Sequence, residues 1–232
     1  MARYATTDLH GCLATFRHLV ENVLALTLAD DLYLLGDYVN KGPQSRETLD
    51  YLLHLQAAGY RLHCLRGNHD QELLDAALGQ PNKLWLPPDE RALTLRSFGV
   101  AQATALPARY LAWLAALPFE WELPDYVLVH AGYDFSQPRA EMHQDHHTML
   151  NIKHFVFDST KLGGRRLLHG HVPTPTATVQ ARVAARAGAI CLDAGGVYRH
   201  NPELRHLAAF NLDTQELLLV PNCEAPYSVV RR

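Results

Sequence analysis

Cysteine is scarce in this chain and is never paired in sequence. The 232 residues include only four cysteines, at Cys12, Cys64, Cys191 and Cys223, and no CxxC pair occurs. Small secreted domains that depend on disulfides, and structural zinc sites, need closely spaced cysteines. The scattered positions therefore argue against both kinds of framework and are typical of a protein from a reducing compartment.

Long apolar runs and an excess of positive charge are also missing. No apolar stretch approaches the length that spans a membrane, and the polar residues Asp8 and His10 come too early to leave room for a signal peptide. The net charge is −3 with a pI near 6.5, so the chain has no overall basic field for a nucleic acid. We expect a cytoplasmic protein with neither a membrane nor a nucleic-acid polymer as partner.

What the sequence does contain is one pattern used five times: an apolar run, then metal-ligand residue types, then glycine. The central copy is Leu34-Leu35-Gly36-Asp37, which predicts a buried strand that delivers Asp37 to the mouth of a sheet. Asp, His and Asn side chains suit divalent metal ions. The other copies are Asp8-Leu9-His10-Gly11, Arg66-Gly67-Asn68-His69-Asp70, Val129-His130-Ala131-Gly132 and Leu168-His169-Gly170-His171.

Periodicity predicts an α/β chain whose C-terminal half is rich in β-strands. Strands over 3–7, 32–35 and 60–65 alternate with helical patterns over 13–24 and 45–58, which favours a parallel sheet with its ligand loops on one edge. Residues 73–122 read as a helical insert. Strand patterns over 189–192, 206–212 and 217–220 predict a second, more antiparallel sheet. With no linker or internal repeat visible, we expect one domain over 1–232.

The five stretches, in this order, resemble the calcineurin-like metallophosphoesterase superfamily. The resemblance runs from about residue 3 to residue 220 and is closest to the branch that holds the serine/threonine protein phosphatases and the symmetrical dinucleoside tetraphosphatases. Many other members place a second histidine two residues after the first in the Gly-His motif, whereas this chain has Pro173 there. The resemblance implies a four-layer αββα sandwich with two metal ions between its sheets.

It also implies a role for each matching residue. Asp8, His10 and Asp37 are expected to bind the first ion, and Asp37, Asn68, His130 and His171 the second, so that Asp37 bridges both. His69 is the expected proton donor to the leaving group. Manganese is the ion we expect, with iron, zinc or magnesium as alternatives, because availability often decides which ion a mixed oxygen and nitrogen site holds.

Three positions depart from the protein-phosphatase pattern. Asn40 stands where an aspartate normally supports the protonated histidine, so we expect a lower pKa for His69, which makes it a weaker proton donor at pH 7 because less of it is protonated. We expect Asn40 to accept a hydrogen bond from the His69 ring. Lys41 and Lys153 replace arginines, and together with Asn68 they are the expected phosphate-binding residues, with a looser grip than two-pronged arginine contacts.

The function expected from these matches is hydrolysis of phosphomonoesters, including phosphoserine or phosphothreonine, by in-line attack of a hydroxide that bridges the ions. One alternative is hydrolysis of diadenosine tetraphosphate or a related anhydride, which the loss of the aspartate at position 40 favours. Another is a phosphatase-like binding protein with weakened catalysis. The substrate is in each case a phosphoprotein or a small phosphate ester or anhydride.

Overall fold

The first of two sheets carries the N-terminal ligand loops. A computed structural model describes residues 1–80 and 87–227. Its first sheet has five strands in the spatial order β3-β2-β1-β8-β9, in which β1, β2 and β3 are parallel and β8 and β9 are antiparallel to their neighbours. The strands are β1 (Arg3–Thr6), β2 (Asp31–Leu34), β3 (Arg61–Cys64), β8 (His206–Asn211) and β9 (Leu217–Pro221).

The second sheet is mostly parallel, which corrects one prediction. Its order is β4-β5-β6-β7, with β5, β6 and β7 parallel and only β4 antiparallel. The strands are β4 (Glu120–Glu122), β5 (Tyr126–Val129), β6 (Arg166–His169) and β7 (Ala189–Cys191). The segments 206–212 and 217–220, predicted for this sheet, instead extend the first one as β8 and β9. Strand patterns identify strands but do not say which sheet they join.

Helices cover the outer face of each sheet and complete the predicted four layers. Leu32 and Leu34 pack outward among the helices, whereas Tyr33 and Leu35 pack inward between the sheets. This alternation follows from the two-residue period of a strand. The helices are α1 (Leu13–His18), α2 (Ser45–Ala57), α3 (Asn68–Ala77), α4 (Pro88–Phe98), α5 (Ala108–Ala115), α6 (Arg139–Met142), α7 (His146–Asn151) and α8 (Thr176–Ala184). A π-helical turn, Leu19–Val23, follows α1, so the predicted helix over 13–24 is not regular throughout.

The insert predicted over 73–122 has different limits. Its first helix, α3, already begins at Asn68 inside a ligand loop, and its last residues form strand β4 of the second sheet. Between them, α4 packs against α2, and α5 packs against α3. Trp113 of α5 lies edge-on to Tyr38, donates to Gln56 and packs, partly buried, against the core between the first sheet and its helices.

The register of the parallel strands brings the predicted ligand loops together. Thr6 pairs with Leu34, and Leu34 pairs with Cys64, so the three strands end at the same level. The loops that follow them therefore open on the same sheet edge, as predicted.

Across residues 1–80 and 87–227, each helix is too short or too polar to cross a lipid bilayer.

Candidate metal centre

The six predicted metal ligands converge between the two sheets. Asp8, His10, Asp37 and Asn68 follow strands of the first sheet, whereas His130 and His171 follow β5 and β6 of the second. All are buried except His171, which is partly exposed. Residues separated by as many as 163 positions in the chain thus meet at one point: the His171 backbone N–H donates to Asp8 Oδ2 at 3.1 Å.

Asp37 lies between two groups of donors and turns one oxygen toward each. Its Oδ2 is 3.6 Å from His10 Nε2, and its Oδ1 is 3.5 Å from His130 Nε2. The His69 backbone N–H also donates to Oδ1 at 2.9 Å. This is the placement that a carboxylate bridging two cations requires, because each oxygen faces a separate set of ligands.

The first half-site, defined as Asp8, His10 and the Oδ2 side of Asp37, contains two carboxylates. His10 Nε2 lies 3.7 Å from Asp8 Oδ1. The other ring nitrogen, Nδ1, is 3.1 Å from the carbonyl of Val39. A ring that donates its Nδ1–H to a carbonyl presents Nε2 as the lone pair, which is how backbone acceptors orient metal-binding histidines.

The second half-site, defined as Asn68, His130, His171 and the Oδ1 side of Asp37, is built mainly from neutral groups. Asn68 Oδ1 lies 3.0 Å from His130 Nε2 and 2.8 Å from His171 Nδ1. His130 is oriented by Nδ1, 2.8 Å from the carbonyl of Leu35. Its Nε2 then faces Asn68 Oδ1 as a second acceptor, so lone pairs converge on one point. A cation bound at that point would remove the repulsion.

The donor set fits a pair of divalent ions. Burial, as the largest cause, lowers the pKa of His10 and His130 and lowers that of His171 to about 3, so these rings are neutral at pH 7 and each has one nitrogen with a lone pair. Asp8 Oδ1 and His171 Nε2 are buried without a hydrogen-bond partner. Burial and then the charge of Asp8 raise the pKa of Asp37 well above its ordinary value, a penalty that bound cations would remove.

Strained backbone accompanies these contacts. Asp8, His10, Asp37 and His171 all have positive φ, at 54°, 45°, 58° and 71°. This left-handed region disfavours most side chains, costs about 1–3 kcal/mol per residue and clusters at functional sites. The sharp turns let each residue leave its strand and aim at the shared point.

Two glycines allow carboxylates to approach the backbone closely. A Cβ at Gly67 would lie 2.1 Å from Asp37 Oδ1, and a Cβ at Gly170 would lie 2.2 Å from Asp8 Oδ2. Neither neighbour can retreat without moving a predicted ligand. The glycines of the repeated sequence pattern thus serve the packing of the site.

His69 lies beside the first half-site, but its contact with Asn40 differs from the prediction. The ring is edge-on to His10, with centroids 4.9 Å apart. Asn40 turns its NH₂ group toward His69: Nδ2 is 3.4 Å from His69 Nδ1 and donates to the His69 carbonyl at 3.1 Å. The Asn40 carbonyl is occupied by the hydroxyl of Thr94, which donates at 3.0 Å. Asn40 is therefore a donor to this histidine, not an acceptor from it.

The surroundings of His69 favour its neutral form, as expected for a poor proton donor at pH 7. Burial, followed by the charge of Lys41, lowers the pKa of His69 well below its ordinary 6.5. The nearest carboxylate to Nδ1 belongs to Glu72 of α3, with 3.6 Å between Nδ1 and Oε2. At neutral pH in the metal-free protein, His69 is thus a neutral hydrogen-bonding group.

A cleft of about 970 Å³ opens over the centre. Its wall includes both predicted phosphate-binding lysines, Lys41 and Lys153, together with His69, Tyr198 and His200. Lys41 is buried and its Nζ lies 2.9 Å from His10 Nε2, whereas Lys153 is exposed. The volume is at the upper end of the roughly 300–1,000 Å³ of ligand pockets, so the cleft has room for more than a phosphate group.

Two buried carboxylates at the site were missed by the sequence reasoning. Asp70 accepts hydrogen bonds from the backbone N–H groups of Asp37, Tyr38 and Gly67, at 2.9, 3.0 and 2.9 Å, and so holds the Asp37 turn. Burial and then Asp37 raise the pKa of Asp70 to about 7. Its position three residues after Gly67, at the start of a helix, matches a capping box and was a usable signal.

Asp193 is the other missed carboxylate. It is buried two residues past the end of β7 and accepts from the Gly195 N–H at 2.9 Å. Burial and then Asp8 raise the pKa of Asp193 well above its ordinary value, which reflects its proximity to the first half-site. The run Ala189-Ile190-Cys191-Leu192-Asp193-Ala194-Gly195 repeats the pattern of the other five stretches.

Two sequence relatives of this chain have the same name. A symmetrical bis(5'-nucleosyl)-tetraphosphatase from Methylococcus capsulatus is 37% identical over 132 residues, which are 57% of this chain and 43% of that protein. A protein of the same name from Ectopseudomonas mendocina is 48% identical over 77 residues, which are 33% of this chain and 27% of that protein. The matched part thus spans less than half the length of either relative.

Solved structures confirm the fold. A protein provisionally named a diadenosine tetraphosphatase superposes with a TM-score of 0.68 at 21% identity, over 96% of this chain and 94% of that chain. A serine/threonine phosphatase from Saccharomyces cerevisiae superposes with a TM-score of 0.64 at 15% identity, over 97% and 81% of the two chains. At such identities the similarity shows the fold alone.

The profile of one family covers most of the sequence. The profile described as calcineurin-like phosphoesterase matches residues 1–213. The matched range contains every residue of both half-sites. Together with the two-sheet architecture, this match shows that the chain belongs to the calcineurin-like phosphoesterase family of metal-dependent phosphatases.

Proposed function

We propose that this protein hydrolyses dinucleoside tetraphosphates symmetrically, releasing two nucleoside diphosphates, with two divalent ions held by the two half-sites. The observation that carries the metal dependence is the placement of Asp37, whose two oxygens face separate donor sets at 3.6 and 3.5 Å. The shared name of the sequence relatives supports the tetraphosphate substrate over the phosphoprotein expected first.

The proposed ligands are Asp8, His10 and Asp37 for one ion, and Asp37, Asn68, His130 and His171 for the other. When bound, such ions supply an acidified water as nucleophile and positive charge for the phosphoryl oxygens. Manganese remains the ion we expect. The chain's own contribution is to hold these donors on rigid, buried turns and to exclude bulk water from them.

The properties of His69 also favour an anhydride substrate. Burial and Lys41 lower the pKa of this histidine, so it is a poor proton donor at neutral pH. An alkoxide leaving group needs a proton, whereas a nucleoside diphosphate leaves as a stable anion. General acid catalysis contributes about 10²–10⁴-fold, and this part of the rate matters least for an anhydride.

The cleft offers positions for the rest of the substrate. Lys41 and Lys153 bring positive charge to a phosphate chain, and Tyr198 and His200 present rings on the same wall. Aromatic faces stack on bases with little sequence preference. A substrate that carries several phosphates and a base can therefore contact more of this wall than a single phosphoryl group can.

A cytoplasmic location, consistent with four free cysteines, stays a prediction.

A comparison of three substrates tests the proposal. The full chain is loaded with Mn²⁺ and assayed on diadenosine tetraphosphate, a phosphoserine peptide and para-nitrophenyl phosphate, with nucleotide products separated by chromatography. We expect ADP as the only nucleotide product and a kcat/KM on the tetraphosphate at least about tenfold above that on the peptide, as the arguments on leaving group predict.

Other outcomes have distinct meanings. Preferential hydrolysis of the phosphopeptide would restore the protein-phosphatase hypothesis, and equal amounts of ATP and AMP would contradict symmetrical cleavage. Two bound ions without turnover of any substrate would favour the weakened binding protein. The Asp37→Asn variant serves as the control for contaminating phosphatase, since it keeps the shape of the side chain and removes its charge.

A further inference from the structure

Lys41 lies inside the ligand cluster, although the sequence placed it at the phosphate. Lys41 is only 6% exposed to solvent, and its backbone has a φ of 65°, in the left-handed region. Nζ is 2.9 Å from His10 Nε2 and 5.8 Å from the centre of the Tyr198 ring. The ammonium group thus lies between the first half-site and the cleft.

This contact uses the atom that the first ion requires. His10 Nδ1 is engaged with the Val39 carbonyl at 3.1 Å, which leaves Nε2 as the lone pair of the ring. Lys41 has three N–H donors and no lone pair when charged, so it is the donor of this hydrogen bond. An ion at the first half-site and the Lys41 ammonium cannot share the same lone pair.

Charge compensation gives Lys41 a reason to be there. Asp8, Asp37 and Asp193 are all buried, and burial raises the pKa of both Asp37 and Asp193 while the charge of Lys41 opposes that rise. Buried carboxylates without a counter-charge destabilise a folded protein. Lys41 supplies such a charge in the metal-free protein, at the place where a dication would otherwise supply it.

The second half-site is different. The ring nitrogens of His130 and His171 face the oxygen of Asn68 at 3.0 and 2.8 Å, with no ammonium group bonded to them among the described residues. An ion entering there displaces no cation. The two half-sites should therefore differ in affinity for the same metal ion.

We propose that Lys41 is a resident counter-ion of the first half-site, which a divalent ion must displace, so that the second half-site fills first and phosphate promotes binding of the other ion. Phosphate acts because it attracts the displaced ammonium into the cleft that Lys41 and Lys153 both line. This inference rests on the proposed metal dependence, but it concerns metal binding and not the identity of the substrate.

A metal titration without substrate tests the inference. Metal-free full-length protein is titrated with Mn²⁺, free Mn²⁺ is followed by electron paramagnetic resonance, and bound metal is counted after gel filtration. We expect two ions to bind the wild type with affinities at least about tenfold apart, because an ammonium a few ångströms from a dication repels it even in a partly screened interior. In Lys41→Met, the Mn²⁺ affinity of the weaker binding step should increase by at least about tenfold.

Two further variants separate charge from shape. Lys41→Arg keeps the positive charge and should keep the difference in Mn²⁺ affinity, hereafter the gap, between the two binding steps. Lys153→Met removes another cationic side chain from the same cleft, one whose charge acts on His171 of the second half-site, and should not narrow the difference in affinity between the two binding steps. The inference is overturned if Lys41→Met binds both ions as the wild type does, or if Lys153→Met narrows the gap equally.

Stability and phosphate provide independent readouts. Without metal, Lys41→Met should unfold at a lower temperature than the wild type, and Mn²⁺ should raise the unfolding temperature of Lys41→Met by more than it raises that of the wild type.

Inorganic phosphate should increase the Mn²⁺ affinity of the weaker binding step in the wild type and have less effect in Lys41→Met. An equal response of both proteins to phosphate would contradict the displacement. Since these measurements use no hydrolysable substrate, failure of the proposed hydrolase activity would leave their outcome intact.

Discussion

The two half-sites share Asp37 but solve different electrostatic problems. In the first, Asp8 and Asp37 lie 3.7 and 3.6 Å from His10 Nε2, and the ammonium of Lys41 lies 2.9 Å from the same nitrogen, so buried charges of both signs surround one ring. The second relies on the neutral groups of Asn68, His130 and His171. The first resembles a buried ion-pair network, and the second is a cluster of neutral hydrogen-bonding groups around one amide oxygen.

This difference indicates how the protein can fold around a candidate metal site before metal ions bind. Carboxylates attract dications strongly, but they penalise the metal-free fold unless a counter-charge is present. Neutral imidazoles and amides avoid that penalty, and an ion that binds them displaces no counter-charge. Sharing one carboxylate lets both half-sites use its charge, which is why we expect Asp37 to matter most.

The largest effect is expected for Asp37→Asn, which tests the sharing itself. Loss of the only charge common to both half-sites should weaken binding of both ions and lower kcat by more than about 10²-fold, as for loss of one strong electrostatic contact with a transition state. Asp8→Asn should spare the second half-site and retain about one ion per chain. Metal counting after gel filtration distinguishes the variants, and equal stoichiometries would contradict a bridging role.

A smaller effect is expected for Asp70→Asn, which loosens the turn that aims Asp37. The three backbone N–H groups that donate to Asp70 would meet one acceptor and one NH₂ group. Removal of such a supporting contact typically costs about 10–100-fold in metal affinity. Asp75→Asn on the same helix, where the carboxylate accepts from Gln71, is the matched control. Wild-type Mn²⁺ affinity in Asp70→Asn would show that the turn holds without it.

Asn40→Asp tests the role of His69, the histidine beside the first half-site. A carboxylate facing His69 Nδ1 should raise the pKa of that histidine and restore part of its acidity. We expect about a tenfold gain in kcat on an alkyl phosphate and little change on diadenosine tetraphosphate, since only the alkoxide needs a proton. Asn40→Ala, which adds no charge, should give no such gain. An unchanged pH profile and alkyl phosphate rate would refute the role of His69 as acid.

The smallest effect is a pH dependence of the metal-free fold. Burial and Asp37 raise the pKa of Asp70 from 3.8 to about 7, so the folded state holds a proton that the unfolded state releases. This contribution to stability is complete below about pH 4 and is lost as the pH rises through 7. The unfolding temperature should fall by a few degrees over that window.

Metal ions and a variant serve as checks on this pH effect. Excess Mn²⁺ should reduce the fall, because ions that bind the folded state stabilise it and favour ionised carboxylates. Asp70→Asn should show a shallower dependence than the wild type. An unfolding temperature that rises between pH 4 and 7 without metal would contradict the charge distribution described for the site.

The sequence pattern predicted much of the site because ligands at the ends of parallel strands share one edge. Thr6, Leu34 and Cys64 end level, so the residues after them meet without further information. The same reasoning did not assign β8 and β9 to their sheet, since partner choice depends on contacts between residues far apart in sequence. It also passed over Asp193, which follows β7 with the same pattern.

Orientation was less predictable than position. The amide of Asn40 turns its NH₂ group to His69 because Thr94, 54 positions away, donates to its oxygen. Lys41 reaches His10 because its left-handed backbone directs it inward, toward buried carboxylates. Neither contact has a local sequence signal.

For this protein, the order of apolar runs, carboxylates, histidines and glycines was sufficient to predict the sheet edge, the family resemblance and the candidate ligand residues. Only the tertiary structure decided which oxygen of Asp37 faces which half-site, which groups orient His10, His69 and His130, and where the charge of Lys41 lies. The reason is physical: strand ends are set by local periodicity, whereas hydrogen-bond direction and charge compensation depend on neighbours that the fold brings from elsewhere in the chain.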